Sequence, residues 1–434
     1  MNSIYETNSF LIAFLGASLF SRLKLHEHLT RAQVKSLQVR RLQALITHAA
    51  RNVPYYRELY RRLGIHPEEI RTVEDLKNLP MLTRRDVREH FEALHEEHEK
   101  RAPGRSLLSV QTTGSTGHPL TISLTDSEFI QGLTFIAYGF LRSGAKMTDS
   151  FAQILVPTIH RGSFLFERMG LLRQRFIDLR QGVEKTISQL NEFQPKVIYS
   201  YPSVLALMAK DNLQSHPLEY PVRLLITHGE MLSDRCRALL SQAFSCPVRD
   251  SYGAAEVFRI AFECQFNRLH IIPDSVVVEV DESTLDSNGA ADIIVTPLYL
   301  KTMPLIRYKL GDRVILSEDP CPCGSNFTTI RKIVGRSDDD LTLPSGKRIS
   351  ARAINLLENV PGIVEYQIIQ KSRERFEVHV KPGTEYGPDS RRQIEQTITG
   401  GCAPEAVQVD VRIVEAVRRT PNGKLNAVIS EVDQ

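Results

Sequence analysis

The chain has 434 residues, 42% of them hydrophobic and 24% charged, and its formal net charge is +3. This composition is typical of a globular protein with two or three domains and a sizeable core. The nearly neutral charge gives no argument for nucleic acid or an anionic membrane as a partner. Six cysteines do not make a disulfide scaffold in a chain of this length, whereas a close cysteine pair is typical of metal or redox chemistry.

The N-terminal run SFLIAFLGASLF, residues 9–20, is strongly apolar. It is too short to span a bilayer, and no lysine or arginine precedes it as in a signal peptide. The run predicts an amphipathic or core helix, with peripheral membrane contact as the alternative. We therefore expect a cytoplasmic protein without an integral membrane segment.

Two helical segments are predicted next. Residues 32–62 repeat apolar side chains at spacings of three and four, and a turn is expected at Asn52-Val53-Pro54. Residues 72–91 predict a second helical segment, with Thr72 as its cap and a break at Pro80.

The stretch SVQTTGSTGHPL, residues 109–120, consists largely of small hydroxyl residues and glycines. Glycines let backbone N–H groups approach a ligand, and hydroxyl groups add short donors, which suits phosphate oxygens. The spacing of a P-loop NTPase is absent. An ordinary polar turn is the alternative for this stretch taken alone.

Between about residues 105 and 320, β-rich runs such as FAQILVP, PKVIYSYP, VRLLITHGE and ADIIVTPL alternate with helical stretches such as SDRCRALLSQAF. This alternation predicts a layered α/β fold with much parallel sheet. The run HIIPDSVVVEVDE predicts antiparallel strands around a Pro-Asp turn.

A smaller α+β unit is predicted at the C-terminal end. ARAINLLENV and DSRRQIEQTI are typical of helices, and VEYQIIQ, RFEVHVK and VQVDVRIVE are typical of strands. The predicted fold class is therefore α/β, with a helical N-terminal segment in a large layered domain over residues 1–335. A small, mobile α+β domain follows over residues 336–434.

Four short motifs occur in a fixed order: SYGAAE (251–256), RYKLGD (307–312), GRSDDD (335–340) and RRTPNGKLN (418–426). Each alone is a weak signal, but their order and separation are together specific. With the loop at 109–120 they resemble the adenylate-forming enzyme superfamily. The segments that resemble the phenylacetate-CoA ligase branch, also called CapK-like, lie on both sides of the loop. They are HAARNVPYYRELYRRLGI and VEDLKNLPMLTRRDVREHF ahead of it, and MPLIRYKLGD, CPCG and IVGRSDD after it. The resemblance extends over nearly the whole chain from about residue 40.

The resemblance implies nucleotide-binding roles at the matching positions. The loop that holds the β- and γ-phosphates of ATP would comprise Thr112, Thr113, Gly114, Ser115, Thr116 and Gly117. The adenine pocket would include Gly229 and Glu230, with Tyr252 and Gly253 beside the base. Asp312 would accept hydrogen bonds from the ribose.

The remaining roles concern catalysis and domain motion. Glu256 would hold Mg²⁺, Arg336 would lie beside Asp312, and Asp338 would be the hinge. Lys424 would be the mobile lysine that meets the α-phosphate and the carboxylate. Two departures from the family pattern concern nucleotide contacts. His118 stands where many relatives have lysine, and Ala254 and Ala255 replace a hydroxyl residue before the glutamate.

A structural zinc site is predicted from two separate segments. Cys264 and His270 come from ECQFNRLHIIPD, and Cys321 and Cys323 come from PCPCGS. Three thiolates and one imidazole are a suitable set for tetrahedral Zn²⁺. Buried free thiols and a hydrogen-bonded histidine are the alternative.

The resemblance implies that Mg·ATP activates a small-molecule carboxylic acid as an acyl-adenylate, which coenzyme A then converts to a thioester. An aryl acid is the first expectation. His160, Tyr138 and Tyr201 are candidates for lining the acyl pocket. For the two tyrosines, the alternative is that they pack in the hydrophobic core. His228 is a further candidate ligand contact. The alternatives are an amine or carrier protein as acceptor, and a non-catalytic nucleotide-binding homologue. A homodimer is plausible from the family.

Overall fold

The computed structural model describes residues 9–95, 107–111, 120–156, 167, 169–214, 217–336, 341–349, 354, 357 and 360–432. Within these ranges, no helix combines the length and the apolar character that a membrane span requires.

The N-terminal region is helical. Its helices are α1 (Ser9–His26), α2 (Arg31–Asn52), α3 (Pro54–Leu63) and α4 (Arg84–Glu89). The break between α2 and α3 falls at Val53, as predicted, because Pro54 occupies the first turn of α3. The predicted segment 72–91 is shorter than a continuous helix: a 3₁₀ turn (Glu74–Asn78) precedes Pro80, and α4 begins only after the Thr83 cap.

Eleven strands within the described ranges form one sheet, in the order β10-β11-β12-β13-β9-β8-β7-β6-β5-β3-β4. The strands are β3 (Phe151–Leu155), β4 (Gln174–Asp178), β5 (Val197–Ser200), β6 (Leu224–His228), β7 (Val248–Tyr252), β8 (Ala261–Glu263), β9 (Leu269–Ile271), β10 (Val276–Asp281), β11 (Ala291–Pro297), β12 (Tyr308–Ser317) and β13 (Thr329–Arg336). β4, β3, β5, β6 and β7 are parallel, and the remaining pairs are antiparallel. A separate hairpin joins β1 (Leu108–Gln111) to β2 (Thr121–Leu124).

The parallel half of the sheet is covered on both faces. Ile198 points into a cluster with α6 (Val183–Phe193), α7 (Pro202–Gln214) and α8 (Asp234–Phe244). Val197 and Tyr199 point to the opposite face, where they meet Phe140 of α5 (Asp126–Arg142). This alternation follows from the two-residue period of a strand and gives the α/β layers that the sequence predicts.

The antiparallel half packs against the N-terminal helices. Leu42, Leu45 and Ile46 of α2 belong to the same apolar cluster as β9 to β12. The buried Tyr56 hydroxyl accepts from Ile306 N at 3.0 Å and donates to Pro304 O at 2.9 Å. α1 packs on α5, where the Phe20 and Tyr138 rings meet edge to face. The apolar N-terminal run is therefore part of a helix attached to the main core.

The C-terminal residues form a second sheet with its own core. Its order is β18-β17-β16-β19, built from β16 (Ile363–Ser372), β17 (Arg375–Pro382), β18 (Gln408–Ile413) and β19 (Val428–Ser430), beside α9 (Pro388–Cys402). A two-stranded ribbon, β14 (Leu341–Thr342) with β15 (Arg348–Ile349), precedes it. Phe376, Ile394 and Val428 belong to one apolar cluster that draws only on residues after 340. The predicted helix ARAINLLENV lies largely outside the described residues.

One strand prediction is wrong. The run HIIPDSVVVEVDE does contain β9 and β10, but the two strands do not pair with each other. β9 pairs with β8 and β13, whereas β10 pairs with β11 at the edge of the sheet. The segment between them turns through Ile272, whose carbonyl accepts from Ser275 N and Val276 N. Three strands, β11, β12 and β13, separate β9 from β10 in the sheet.

Candidate active site

The ends of three neighbouring parallel strands define the candidate site. β5 ends at Ser200, β6 at His228 and β7 at Tyr252. Because parallel strands present their carboxyl ends at the same edge of a sheet, the residues that follow them lie together. Tyr201, the Gly229-Glu230 pair and Tyr252 therefore meet at this edge.

Asp312 and Arg336 reach the same edge from the antiparallel half. They face each other across the β12–β13 pair, with Arg336 Nε at 3.9 Å from Asp312 Oδ1. The Tyr252 hydroxyl donates to Asp312 Oδ2 at 2.6 Å. Burial, together with the negative charge of Asp312, raises the pKa of Tyr252 well above its ordinary value, so its hydroxyl keeps its proton and remains a donor.

Glu256 lies beneath this pair and is only 5% exposed. The turn that carries it needs a glycine, since a Cβ on Gly253 would lie 2.0 Å from Phe258 O. The Tyr308 hydroxyl contacts Glu256 Oε1 at 3.3 Å. Burial raises the pKa of Glu256, and the positive charges of Arg84 and Arg336 oppose that rise. A carboxylate is the ligand that Mg²⁺ commonly uses beside substrate phosphates, and Glu256 supplies one here.

Lys424 directly follows a tight turn over residues 420–423 in the C-terminal region. Lys424 N donates to Thr420 Oγ1 at 3.1 Å, and Thr420 N donates to Lys424 O at 2.9 Å. The Gln367 amide binds both flanks of the turn by donating to the carbonyls of Arg418 and Asn426. The turn is therefore a rigid extension of the C-terminal sheet.

The lysine side chain enters the large-sheet site beside Gly229. A Cβ on Gly229 would lie 3.0 Å from Lys424 Cε, and Lys424 Nζ is 5.9 Å from the centre of the Tyr201 ring. Burial lowers the pKa of Lys424, and the nearby carboxylate of Glu230 opposes that change. The residues after 340 thus deliver a cation to the edge of the large sheet.

Glu230 binds the turn that carries Lys424. Its carboxylate accepts from Ser203 N and Ser203 Oγ, each at 3.0 Å, and from Leu425 N at 2.7 Å. Burial raises the pKa of Glu230, although these hydrogen bonds favour the ionised form. Arg419 adds a donor to Ser203 Oγ at 2.9 Å and an ion pair with Glu365.

A second cross-contact lies nearby, where Lys210 Nζ donates to the carbonyls of Ile363 and Val364 at 3.1 and 2.7 Å. Together with the Glu230 contacts, it holds the C-terminal unit against α7. Sequence reasoning missed Ser203, Lys210, Arg419, Tyr308 and Arg84 in these contacts. Of the five, Arg419, Tyr308 and Arg84 lie inside segments that carry the family resemblance, whereas Ser203 and Lys210 do not.

The aromatic candidates separate into two environments. Tyr201 is at the site, where its ring lies 4.8 Å from that of His228. Tyr138 is fully buried between Phe20 and Phe262, in the core under α5. The structure therefore brings Tyr201 to Lys424 and leaves Tyr138 in the core. Three predicted features lie outside the described residues. They are His160, the hinge candidate Asp338, and the loop of Thr112, Thr113, Gly114, Ser115, Thr116 and Gly117.

The four metal-ligand candidates are brought together. The donor atoms of Cys264, His270, Cys321 and Cys323 all lie within 4.8 Å of one another. Cys264 Sγ is 3.7 Å from Cys321 Sγ, and Cys323 Sγ is 3.4 Å from His270 Nε2. A tetrahedral ion with Zn–S bonds of about 2.3 Å needs edges near these lengths. The donor set and its spacing therefore fit a closed zinc site that joins β8, β9 and the loop before β13.

Comparisons with known proteins agree with this architecture. No family model matches the chain. A phenylacetate-coenzyme A ligase of Thermus thermophilus is 24% identical over 411 residues, covering 89% of this chain and 88% of that protein. Protein CapK of Staphylococcus aureus is 24% identical over 358 residues, covering 79% and 77% of the two chains.

Solved structures of one enzyme share the fold. A 2-hydroxyisobutyryl-CoA ligase in its postadenylation state superposes with a TM-score of 0.76 at 19% identity, over 94% of this chain and 91% of that one. The same enzyme in its thioesterification state gives 0.63, over 94% and 92%. These likenesses agree with the ordered motifs and extend over most of the chain. The chain is therefore similar in sequence to phenylacetate-CoA ligases and CapK, and similar in fold to an acyl-CoA ligase.

Proposed function

We propose that this protein is an AMP-forming acid–thiol ligase. It converts a small carboxylic acid and Mg·ATP to an acyl-adenylate and pyrophosphate, and then transfers the acyl group to the thiol of coenzyme A. The observation that carries the proposal is the convergence of Lys424 with Asp312, Glu256 and Arg336 at one edge of the large sheet. The ligases among the relatives act on phenylacetate, so an aryl acid is the first candidate.

The chemistry explains why cations converge there. Attack of a carboxylate on the α-phosphate brings two anions together, and fixed positive charge in a site that excludes water lowers that barrier. We assign Lys424 to the attacking carboxylate and the α-phosphate. Asp312 orients the ribose hydroxyls, while Arg336 holds Asp312 and adds positive charge. Glu256 is assigned to Mg²⁺, which would neutralise the phosphate oxygens.

We assign nucleotide binding to three further groups of residues. Gly229, Glu230 and Gly253 border the adenine pocket through their backbone, with Tyr252 beside the base. The loop residues Thr112, Thr113, Gly114, Ser115, Thr116 and Gly117 hold the terminal phosphates.

The two half-reactions require a change of domain arrangement. We propose that residues 1–335 form the large domain together with Arg336, which belongs to β13. The residues after Arg336 form the mobile domain, with Asp338 as the hinge. The close approach of Lys424 to Gly229 and the higher TM-score to the postadenylation state support an arrangement suited to the first half-reaction. Rotation would withdraw Lys424 and leave space for the thiol.

We further propose that Zn²⁺ occupies the Cys264–His270–Cys321–Cys323 cluster in a structural role, since all four positions are filled by protein donors. A cytoplasmic location and a homodimer are proposals that rest on the family resemblance alone. Light scattering of the purified protein decides the oligomeric state.

The deciding experiment is pyrophosphate release from Mg·ATP against aryl, aliphatic and amino acids, with and without coenzyme A. A burst with one acid class that becomes steady turnover with coenzyme A is the expected result. If coenzyme A does not convert the burst to steady turnover, the acyl acceptor would be an amine or a carrier protein instead of coenzyme A. No burst, together with nucleotide binding, would contradict the proposal in favour of a non-catalytic homologue. Lys424→Ala should reduce adenylate formation by ~100-fold or more, since it removes a transition-state charge.

A further inference from the structure

A guanidinium is buried beside the candidate site. Arg259, three residues after Glu256, is 3% exposed. It lies on the α5 face of the sheet, with its guanidinium carbon 5.9 Å from the centre of the Phe140 ring. Arg259 Nη2 donates to the Tyr199 hydroxyl at 3.2 Å, and Nη1 donates to Ser251 Oγ. Among the residues that the structure describes, its hydrogen-bond partners are these two neutral hydroxyl groups.

Among the described residues, no carboxylate pairs with Arg259, and its Nε has no hydrogen-bond partner. A second buried arginine, Arg307, and the half-buried Arg237 do have carboxylate partners. Arg307 pairs with Glu279 at 3.2 Å, and Arg237 pairs with Glu263 at 2.8 Å. A buried cation without a counter-charge is costly, and the contact with Phe140 offsets only part of that cost. Arg259 can therefore bind an anion, and the described part of the chain does not supply one.

A continuous row of polar and aromatic groups connects Lys424 to this arginine. Lys424 Nζ lies over the Tyr201 ring, which contacts the His228 ring at 4.8 Å. The His228 ring stacks on that of Tyr199 at 4.1 Å, with only 11° between the ring planes. The Tyr199 hydroxyl then reaches Arg259. One end of the row is therefore the proposed activation point, and the other end is the unpaired guanidinium.

His228 is also ready for a ligand. Its Nε2 is buried and has no partner within the described ranges. Burial, with the positive charges of Arg259 and Lys424, lowers the pKa of His228 well below its ordinary value. The imidazole is therefore neutral, so it can donate or accept one hydrogen bond and adds no charge between the two cations.

We propose that the acid activated by this enzyme carries a second anionic group, and that Arg259 with the Tyr199 hydroxyl binds it. The simplest such substrate is a dicarboxylic acid, with one carboxylate at Lys424 and the other at Arg259. This inference rests on the proposed function, because it takes the Lys424 end as the point of activation.

The chemistry favours a carboxylate over an apolar tail at the Arg259 end. A guanidinium offers parallel N–H donors that match a carboxylate, and such charge-assisted pairs are strong where water is excluded. A monocarboxylic acid of the same length would place its apolar end against a buried cation and leave that cation unpaired. The site therefore selects by charge at the far end of the acid rather than by size alone.

The test compares acids of matched length: hexanoate with adipate, butyrate with succinate, and phenylacetate with 4-carboxyphenylacetate. We expect the dicarboxylate of at least one pair to have the higher kcat/KM in ATP–pyrophosphate exchange. Arg259→Met, which keeps the length of the side chain, should lower that value by ~10- to 100-fold and leave the monocarboxylate within a few-fold. Arg142→Met is the matched control, since Arg142 already pairs with Glu27 at 3.2 Å and should not alter the preference.

A binding measurement separates this inference from the proposed function. Calorimetric titration with each acid detects the second-carboxylate site whether or not turnover occurs. Dicarboxylate binding that Arg259→Met removes, in an enzyme without pyrophosphate exchange, would keep the carboxylate site at Arg259 and contradict the proposed function. If Arg259→Met unfolds, Arg259→Lys and Tyr199→Phe should give weaker forms of the same shift. Equal or better use of the monocarboxylates by the wild type, or binding of no dicarboxylate in the panel, would overturn the inference.

Discussion

Leu425 N donates to Glu230 Oε1 over 2.7 Å, so the residue after Lys424 is bound to the residue after Gly229. This hydrogen bond crosses from the C-terminal turn to the edge of the large sheet. Ser203 fixes the other side of the Glu230 carboxylate through its backbone N–H and its hydroxyl. Glu230 thereby sets the position at which Lys424 enters the site, although sequence reasoning assigned it to the adenine pocket.

Replacing Glu230 by alanine should impair adenylation more than thioester formation. The substitution removes the acceptor of Leu425 N and leaves the ion pair of Arg419 with Glu365 inside the C-terminal unit intact. A hydrogen bond that involves a charged group contributes about 1.5–3 kcal/mol, which corresponds to a loss of ~10- to 100-fold in ATP–pyrophosphate exchange. Thioester formation from chemically prepared acyl-adenylate should change by less than about three-fold, since that step uses a different arrangement.

The control for this split is Glu192→Ala, which removes an exposed acid of α6 that pairs with Arg175. It should leave both half-reactions unchanged. Hydrogen exchange of residues 418–426 should be faster in Glu230→Ala than in the control, because the Leu425 N–H loses its acceptor. Equal losses in both half-reactions, with a lower melting temperature, would mean that Glu230 only supports the fold.

The pH dependence of adenylation should reflect the buried position of Lys424. Burial lowers the pKa of this ammonium, so its proton is lost at a lower pH than from an ordinary lysine. Since the charged form is the active one, kcat/KM should decline on the alkaline side below the ordinary lysine range.

Lys424→Arg tests this assignment, because a guanidinium stays protonated throughout that range. Whatever the absolute rate of this variant, the alkaline decline of its kcat/KM should occur at a higher pH than in the wild type. Lys371→Arg, a surface change at a lysine that pairs with Glu431, should not move the limb. An alkaline limb shared by the wild type and Lys424→Arg would show that another group is titrating.

Arg84 should tune the metal affinity of Glu256. The segment before α4 is clamped to β12, where Leu82 N donates to Arg307 O and Lys309 N donates to Leu82 O, each at 2.9 Å. The positive charge of Arg84 lowers the pKa of Glu256, against the larger effect of burial. Removing that charge should raise the pKa further and leave less carboxylate for Mg²⁺ at a given pH.

We therefore expect Arg84→Ala to need several-fold more Mg²⁺ for half-maximal adenylation, with a larger deficit at pH 6.5 than at pH 8. A magnesium titration at the two pH values measures both effects. Arg85→Ala is the matched control, since the adjacent Arg85 side chain is 83% exposed and pairs with Glu89. If the Mg²⁺ requirement of Arg84→Ala rises equally at both pH values, Arg84 does not act through the ionisation of Glu256.

Local features were predictable from the sequence, whereas the order of distant strands was not. The break at Val53 follows from Pro54, and the layers follow from strands that alternate with helices. The pairing partners of β9 and β10 depend on β8, β11 and β13, which no local pattern specifies. Adjacent strands in a sequence often pair, and this general tendency gave the wrong partner here.

The same distinction applies to the site. Asp312, Arg336 and Lys424 lie in motifs whose order identifies them, and the structure brings them to one edge. Ser203 and Lys210 act through α7, which has an ordinary amphipathic sequence, so their contacts with residues 363–425 become visible only when both units are folded. Arg259 did leave a signal, since it is a charge in the otherwise apolar run VFRIAF.

The zinc proposal predicts that metal content and stability change together. Cys321→Ser and Cys323→Ser each remove one of four donors, and the remaining three hold Zn²⁺ less tightly. Both variants should lose most of the zinc measured by mass spectrometry and should melt at a lower temperature. Cys236→Ser, a change at a cysteine outside the cluster, should keep about one zinc per chain.

Because thiolate and neutral imidazole donors must be deprotonated, zinc release should increase as the pH falls. Less than about half an equivalent of zinc in the native protein, together with unchanged melting of Cys321→Ser, would contradict the proposal. The cluster would then be three buried side chains and the half-buried Cys323, packed without a metal.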